Sequence, residues 1–138
     1  MTQKFYNDLT YRIIGAAIEV HKELGPGLLE NIYERCLIHL LRKSGLRVES
    51  QQRVPVIFQG LHLDCELRLD LLVEDCIIVE VKAADRILPI FEAKLLTYLR
   101  LLKKPKGIIL NFNSSNLFKD GQKTMVTAQF GELPRGYD

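Results

Sequence analysis

The stretch Ile77 to Asp85 reads IIVEVKAAD and places Glu80 and Lys82 two residues apart in an otherwise apolar run. Side chains alternate faces along a strand, so this carboxylate and this ammonium point the same way. A further acid, Asp70, stands upstream in LRLDLLV. Two carboxylates brought together repel, so one protonates or both ionise around a cation. A hard divalent ion such as Mg²⁺ takes oxygen ligands, needs one or two carboxylates and keeps several waters. Such an ion activates water and stabilises charge on a phosphoryl oxygen. Lys82 would orient that water or neutralise the developing negative charge. The ordinary alternative is a surface ion pair between Glu80 and Lys82, with a median worth of about 0–1 kcal/mol, and an Asp70 that marks a strand end.

Whether the acids meet depends on the turn between them. A two-residue loop, Glu74-Asp75, pairs Val73 with Cys76 and sets Asp70 opposite Val79, so that Asp70 and Glu80 face opposite sides of the sheet. A three-residue loop, Glu74-Asp75-Cys76, pairs Val73 with Ile77 and sets Asp70 across from Glu80, with Lys82 nearby. The flanking residues are apolar on both faces, as expected of a sheet covered on both sides, and do not choose between the registers.

The elements that must position these residues are legible in outline. Helical spacing runs from Leu9 to Leu24, with Gly25-Pro26 as its stop. GPGLLENIYERCLIHLLRKSGL opens a second helix, with Leu29, Ile32, Tyr33, Cys36, Leu37, Leu40 and Leu41 in period and Gly45 as its C-terminal cap. From Arg47 the pattern changes to three strands in a meander: about Val48–Phe58, Leu61–Val73 and Ile77–Lys82. Pro55 marks the first as an edge strand. ILPIFEAKLLTYLRLLKK is a helix with Pro89 in its first turn. Ile108–Phe112 is a fourth core strand, NSSNLFKDGQ a loop, KTMVTAQF a last strand and GELPRGYD a loose tail. A right-handed crossover from Ile77 to Phe112 makes strands three and four parallel. The expectation is a mixed sheet with helices packed on it.

With 138 residues, 47% hydrophobic and 26% charged, the chain reads as one globular domain spanning 1–138. A net charge of +2 leaves any nucleic-acid contact to local patches. Cys36, Cys65 and Cys76 have no C-x-x-C spacing, and His21, His39 and His62 are scattered, which argues against a disulfide framework or a zinc site. The N-terminus lacks an apolar signal core, and no run approaches the ~20 residues of a membrane span. A cytoplasmic protein without a membrane partner is expected.

An acid in strand two, Glu-x-Lys in strand three, then a helix and a strand: this order resembles the PD-(D/E)XK nuclease superfamily. LGPGLLENIYERCL closely resembles the signature of its GxxExxY family, here Gly27, Glu30 and Tyr33. QQRVPVIFQG, DLLVEDCIIVEVKA and LLTYLRLLKKPKGIILNFN are similar to that family in the same order, so the likeness spans about Ile13 to Val126. The resemblance implies an α/β restriction-endonuclease-like core, a mixed central sheet flanked by helices, and phosphodiester hydrolysis with Mg²⁺ or Mn²⁺. By position, Asp70 and Glu80 would be metal ligands, the Val81 carbonyl would complete the site, and Lys82 would be the catalytic lysine. Glu30 matches the acid that some members add, although an acid in a helix's first turn also suits the helix dipole. Related nucleases often carry Gln-x-x-x-Tyr on the later helix; here Lys94 replaces the Gln, with Tyr98 after it.

Lys94 and Tyr98, with Lys103 and Lys104, are candidates to meet a nucleic acid. Arg42, Lys43, Arg100, Lys106, Lys119 and Lys123 are further backbone-contact candidates, and such contacts make binding salt-dependent. The function expected is a metal-dependent nuclease acting on DNA or RNA. The alternative is an inactive nuclease-fold module for nucleic-acid or protein binding. A homodimer is compatible with either, since cutting duplex DNA often uses two sites.

Overall fold

The computed structural model describes residues 1–64 and 67–137. Cys65 and Glu66, which fall inside the expected second strand, and the terminal Asp138 lie outside the described residues.

Helix α1 (Gln3–Leu24) starts earlier than its apolar period suggests. The Thr2 hydroxyl accepts from Phe5 N–H at 3.1 Å and caps it. The tail, expected to be loose, is docked here instead. Gln3 N–H donates to Pro134 C=O at 2.8 Å and Lys4 N–H to Arg135 C=O at 2.9 Å. These carbonyls satisfy donors that a helix start leaves unpaired.

Helix α2 (Glu30–Lys43) follows the Gly25-Pro26-Gly27 turn, in which Gly27 sits at φ 100, a conformation that favours glycine. Tyr33 explains the turn's precision. It is fully buried, donates to Gly25 C=O at 2.6 Å and accepts from Leu28 N–H at 3.0 Å. Its ring stacks on Phe112, with centroids 4.7 Å apart. The motif tyrosine is therefore a clamp on the turn and a core aromatic. Tyr33→Phe should lower stability by about 1–3 kcal/mol, because it leaves a donor and an acceptor without their partner. Urea unfolding of the two proteins measures this directly.

The strands are β1 (Val48–Ser50), β2 (Val56–Phe58), β3 (Leu61–Leu63), β4 (Leu71–Val73) and β5 (Ile77–Lys82); α3 (Pro89–Leu102) leads to β6 (Lys106–Asn111). Then come α4 (Leu117–Asp120), β7 (Gln122–Val126) and α5 (Ala128–Gly131). The described sheet has five strands in the order β1-β4-β5-β6-β7, while β2 and β3 pair only with each other. Strands β5 and β6 are parallel across the α3 crossover, and the other neighbours are antiparallel. This is the expected mixed α/β sheet. The two long strands expected before Ile77 are each broken, because Gln51 takes φ 55 and Pro55 cannot donate to a ladder. The helices α4 and α5, each one turn long, carry no apolar period from which the sequence could announce them.

Alternation along the strands divides the core. Leu71, Val73, Ile77, Val79, Val81, Ile108 and Leu110 pack under α1 and α2. Leu72, Ile78 and Ile109 pack under α3 with Leu95, Tyr98 and Leu99. Gly107 lets α3 approach β6 closely: a Cβ there would lie 2.7 Å from a Leu95 methyl. Among the described residues, no helix is long and apolar enough to cross a membrane.

Candidate active site

The turn after β4 decides the question left open by the sequence. Glu74 and Asp75 both take φ 53, and Cys76 N–H closes the turn on Val73 C=O at 2.9 Å. Val73 pairs with Ile77, Leu72 with Ile78 and Leu71 with Val79. Cys76 is thus the extra residue; the paired rungs end at Leu71 and Val79, and Asp70 lies just beyond them, within hydrogen-bond reach of Glu80 and Val81. Alternation places Glu80 and Lys82 with Ile78 on the α3 side of the sheet, while Asp70 stands at a bend between Leu69 of the α3-side core and Leu71 of the opposite core.

The ladder's last rungs are made by these carboxylates. Asp70 N–H donates to Glu80 Oε2 at 2.8 Å, and Val81 N–H donates to Asp70 Oδ2 at 2.8 Å. One oxygen of each acid is used in this way, leaving the other for a cation. The Lys82 carbonyl accepts from Phe112 N–H, toward β6. Backbone groups alternate edges along a strand, so the Val81 carbonyl lies on the Asp70 edge. Two carboxylates and a carbonyl are the oxygen ligands that a small hard cation takes.

Glu80 is only 3% exposed. Burial first, and then the Asp70 charge, push its pKa up to about 8; Asp70 N–H, Lys82 and Lys94 pull the other way without cancelling this. A buried acid opposed by a second acid is a site held ready for positive charge. The surface ion pair that the spacing allowed is absent: among the described residues Lys82 and Glu80 do not close one. The half-buried Lys82 instead holds its Nζ 4.9 Å from the Phe91 ring centroid.

Lys94, the residue in place of the family's Gln, belongs to this site. Its Nζ lies 5.5 Å from the Tyr98 ring centroid. Burial alone would lower its pKa, but Tyr98 and the charges of Glu80 and Asp70 raise it. Tyr98, expected at a nucleic-acid contact, is only 2% exposed, packs in the core beneath α3 and donates to Arg68 C=O at 3.4 Å. It is therefore an interior residue that lies beside Lys94 rather than a surface contact.

The other expected residues are dispersed. Glu30 is exposed at the start of α2. The α2 acid that feels Asp70 is Glu34, one turn on. Burial first, then the charges of Asp70 and Glu30, raise its pKa against the lowering bond that Gln51 Nε2 donates at 2.8 Å. The sequence signal that could have found Glu34 is its position one helical turn beyond Glu30, on the stripe that returns to the sheet. Among the described residues, no three of His, Cys, Asp and Glu gather closely enough to hold a metal by side chains alone. Lys103 and Lys104 sit at the far end of α3. Lys104 Nζ reaches Asp75 Oδ1 at 3.1 Å, in the turn at the other end of β5. A crossover helix runs back along its strand, which carries these lysines away from Lys82. Lys106 is 5% exposed and donates to Asn7 Oδ1 at 2.7 Å, so it is an interior residue rather than a surface cation.

Asn111 is a site residue that the sequence reading missed. It pairs with Lys82 in register and is 1% exposed. Its side chain accepts from Ala84 N–H at 3.0 Å and donates to Ala84 C=O at 2.9 Å, pinning the chain just after Lys82. Asn111→Ala should destabilise by about 1–3 kcal/mol, since two partly buried backbone groups of Ala84 lose their partner. Thermal and urea unfolding give the value.

A family model for the PD-(D/E)XK nuclease superfamily matches residues 7–125. The chain belongs to the PD-(D/E)XK nuclease superfamily. Comparison with curated proteins and with solved structures found no match. The matched span includes Asp70, Glu80, Lys82 and Lys94.

Proposed function

We propose that this PD-(D/E)XK protein, of the GxxExxY type, is a divalent-cation-dependent nuclease that hydrolyses phosphodiester bonds of DNA or RNA in the cytoplasm. The observation that carries the reading is the opposed pair Asp70 and Glu80, with Glu80 3% exposed and bonded to the Asp70 backbone. These two carboxylates and the Val81 carbonyl would hold Mg²⁺ or Mn²⁺. When bound, the cation lowers the pKa of water and stabilises charge on a phosphoryl oxygen. Lys82, on the same side of β5, orients the attacking water and offsets negative charge as it develops on the phosphate. Lys94 contacts the phosphate from α3. Asn111 holds the Lys82 segment in place, and Glu34 adds negative charge from α2.

One observation favours the second reading, a nuclease-fold module without catalysis. Lys94 feels both acids and could supply their counter-charge itself. The readings separate in a cleavage panel on single- and double-stranded DNA and RNA with and without Mg²⁺ or Mn²⁺. Divalent-dependent cleavage that is lost in Asp70→Asn supports the nuclease. Nucleic-acid binding with no cleavage under any cation supports the module.

A further inference from the structure

The inner faces of α1 and α2 cover the sheet, and their outer faces leave a groove between them. Its volume is about 470 Å³, and Leu24, Ile32 and Leu40 line it above the buried Val20. A second groove of about 380 Å³ continues it from Leu40 to Ala16 and Ser44. The two helices are antiparallel. Leu24 and Ile32 border the groove at the end nearest the turn, and Arg12 donates to Ser44 C=O at 3.0 Å at the other end. Ile32 is 38% exposed, and Leu29, one turn before it, is 72% exposed. An apolar strip along two adjacent helices is what a further pair of helices covers in a four-helix bundle.

The charges on the walls indicate which pair. Glu19 and Glu23, one turn apart, stand on the α1 wall; Arg35 and the basic His39, one turn apart, stand on the α2 wall. All four are exposed, and none closes an ion pair among the described residues. Arg12 breaks the pattern only in the continuation of the groove, where its guanidinium is turned onto Ser44. A nucleic acid or an acidic peptide would be repelled by the α1 wall, and a basic peptide by the α2 wall. A face with one sign on each wall is complementary to itself.

Two copies can meet on this face about either of two axes. A two-fold axis across the helices lays α1 on α1 and α2 on α2, acid on acid and base on base. A two-fold axis along the groove lays each copy's α1 on the other's α2. The antiparallel hairpin sets Glu23 near the level of Arg35, and Glu19 near that of His39. The second axis therefore joins opposite charges on both flanks while Ile32 and Leu40 of the two copies close the centre. The α3 side of the sheet, with Glu80 and Lys82, stays open in both copies.

We propose that the outer α1–α2 face is the seam of a homodimer, in which each copy's α1 lies on the other's α2 about a two-fold axis along the groove. The test measures mass by sedimentation equilibrium for wild type, Glu23→Arg, Arg35→Glu, the double variant and an equimolar mixture of the two single variants. Circular dichroism of each checks that these exposed substitutions leave the fold intact.

The expected result is a wild-type dimer at about 100 µM chain, with each single variant weakened about tenfold or more by like charges across the seam. The mixture should dimerise again, because the introduced arginine then faces the introduced glutamate and the remaining Glu23 faces the remaining Arg35. The double variant should dimerise as wild type does. A wild type that stays a single chain at this concentration overturns the proposal and leaves the groove to another protein. A dimer that both single variants leave intact lies on another face and overturns it too; loss of that dimer in Phe58→Ala would place it on the β2–β3 hairpin. Rescue in the double variant without rescue in the mixture puts the pairing within one chain and overturns the seam.

Discussion

Lys82→Ala should lower divalent-dependent phosphodiester cleavage by about two to three orders of magnitude, the range seen when one preorganised donor is removed from a developing anion. The loss should appear in kcat rather than KM, because the ammonium acts on charge that exists only in the transition state. Stability should change little. Lys82 is half-buried and its described contact is the Phe91 ring, a cation–π interaction worth about 0.5–1 kcal/mol. Cation binding should persist, since the carboxylates are untouched. Single-turnover cleavage beside thermal unfolding separates these effects, and full activity in the variant would remove Lys82 from the chemistry.

The second large effect is on stability and follows from Glu80. Its pKa in the folded protein, about 8, lies above the ordinary 4.5. The folded state therefore holds the proton more tightly than the unfolded chain does. The stability this contributes is complete below about pH 4.5 and is lost as pH rises toward and through 8. Glu80→Gln keeps an oxygen to accept from Asp70 N–H and cannot ionise. Without cation, the variant should match wild type near pH 4.5 and exceed it at pH 9 by a few kcal/mol, with a melting temperature higher by roughly 5 °C or more. Mg²⁺ should restore wild type at high pH and do nothing for the variant. Equal pH slopes in the two proteins would show that Glu80 is not the strained acid. A site residue that destabilises its own fold is the usual exchange of stability for function.

How much of this was legible in the sequence depends on what each feature rests on. The six residues of β5 were readable because a buried strand is a run of apolar residues with one register to its helix layer. The parallel β5–β6 pair followed from crossover handedness. The face shared by Glu80 and Lys82 followed from the period of a strand. The position of Asp70 did not, because one residue more or less in the turn flips the whole strand. The left-handed conformations of Glu74 and Asp75 are not marked by Gly or Asn. Asn111 was missed because a polar residue at the end of a strand carries no sign that it reaches back to Ala84. The break at Gln51 and Pro55, which turns two long strands into a sheet edge and a free arm, was only half visible, in the proline. The docking of Pro134 and Arg135 on α1 joins opposite ends of the chain, and no local pattern encodes it.

The account stands on the Asp70–Glu80 pair as a cation site, and calorimetric titration with Mg²⁺ or Mn²⁺ at pH 7, in two buffers of different ionisation enthalpy, tests it most directly. A pKa of about 8 leaves Glu80 largely protonated at that pH, so binding must expel the proton. The prediction is one saturable site whose heat depends on the buffer because the Glu80 proton is released, and no binding in Asp70→Asn. Heats that do not depend on the buffer, or a site that survives in Asp70→Asn, would contradict it.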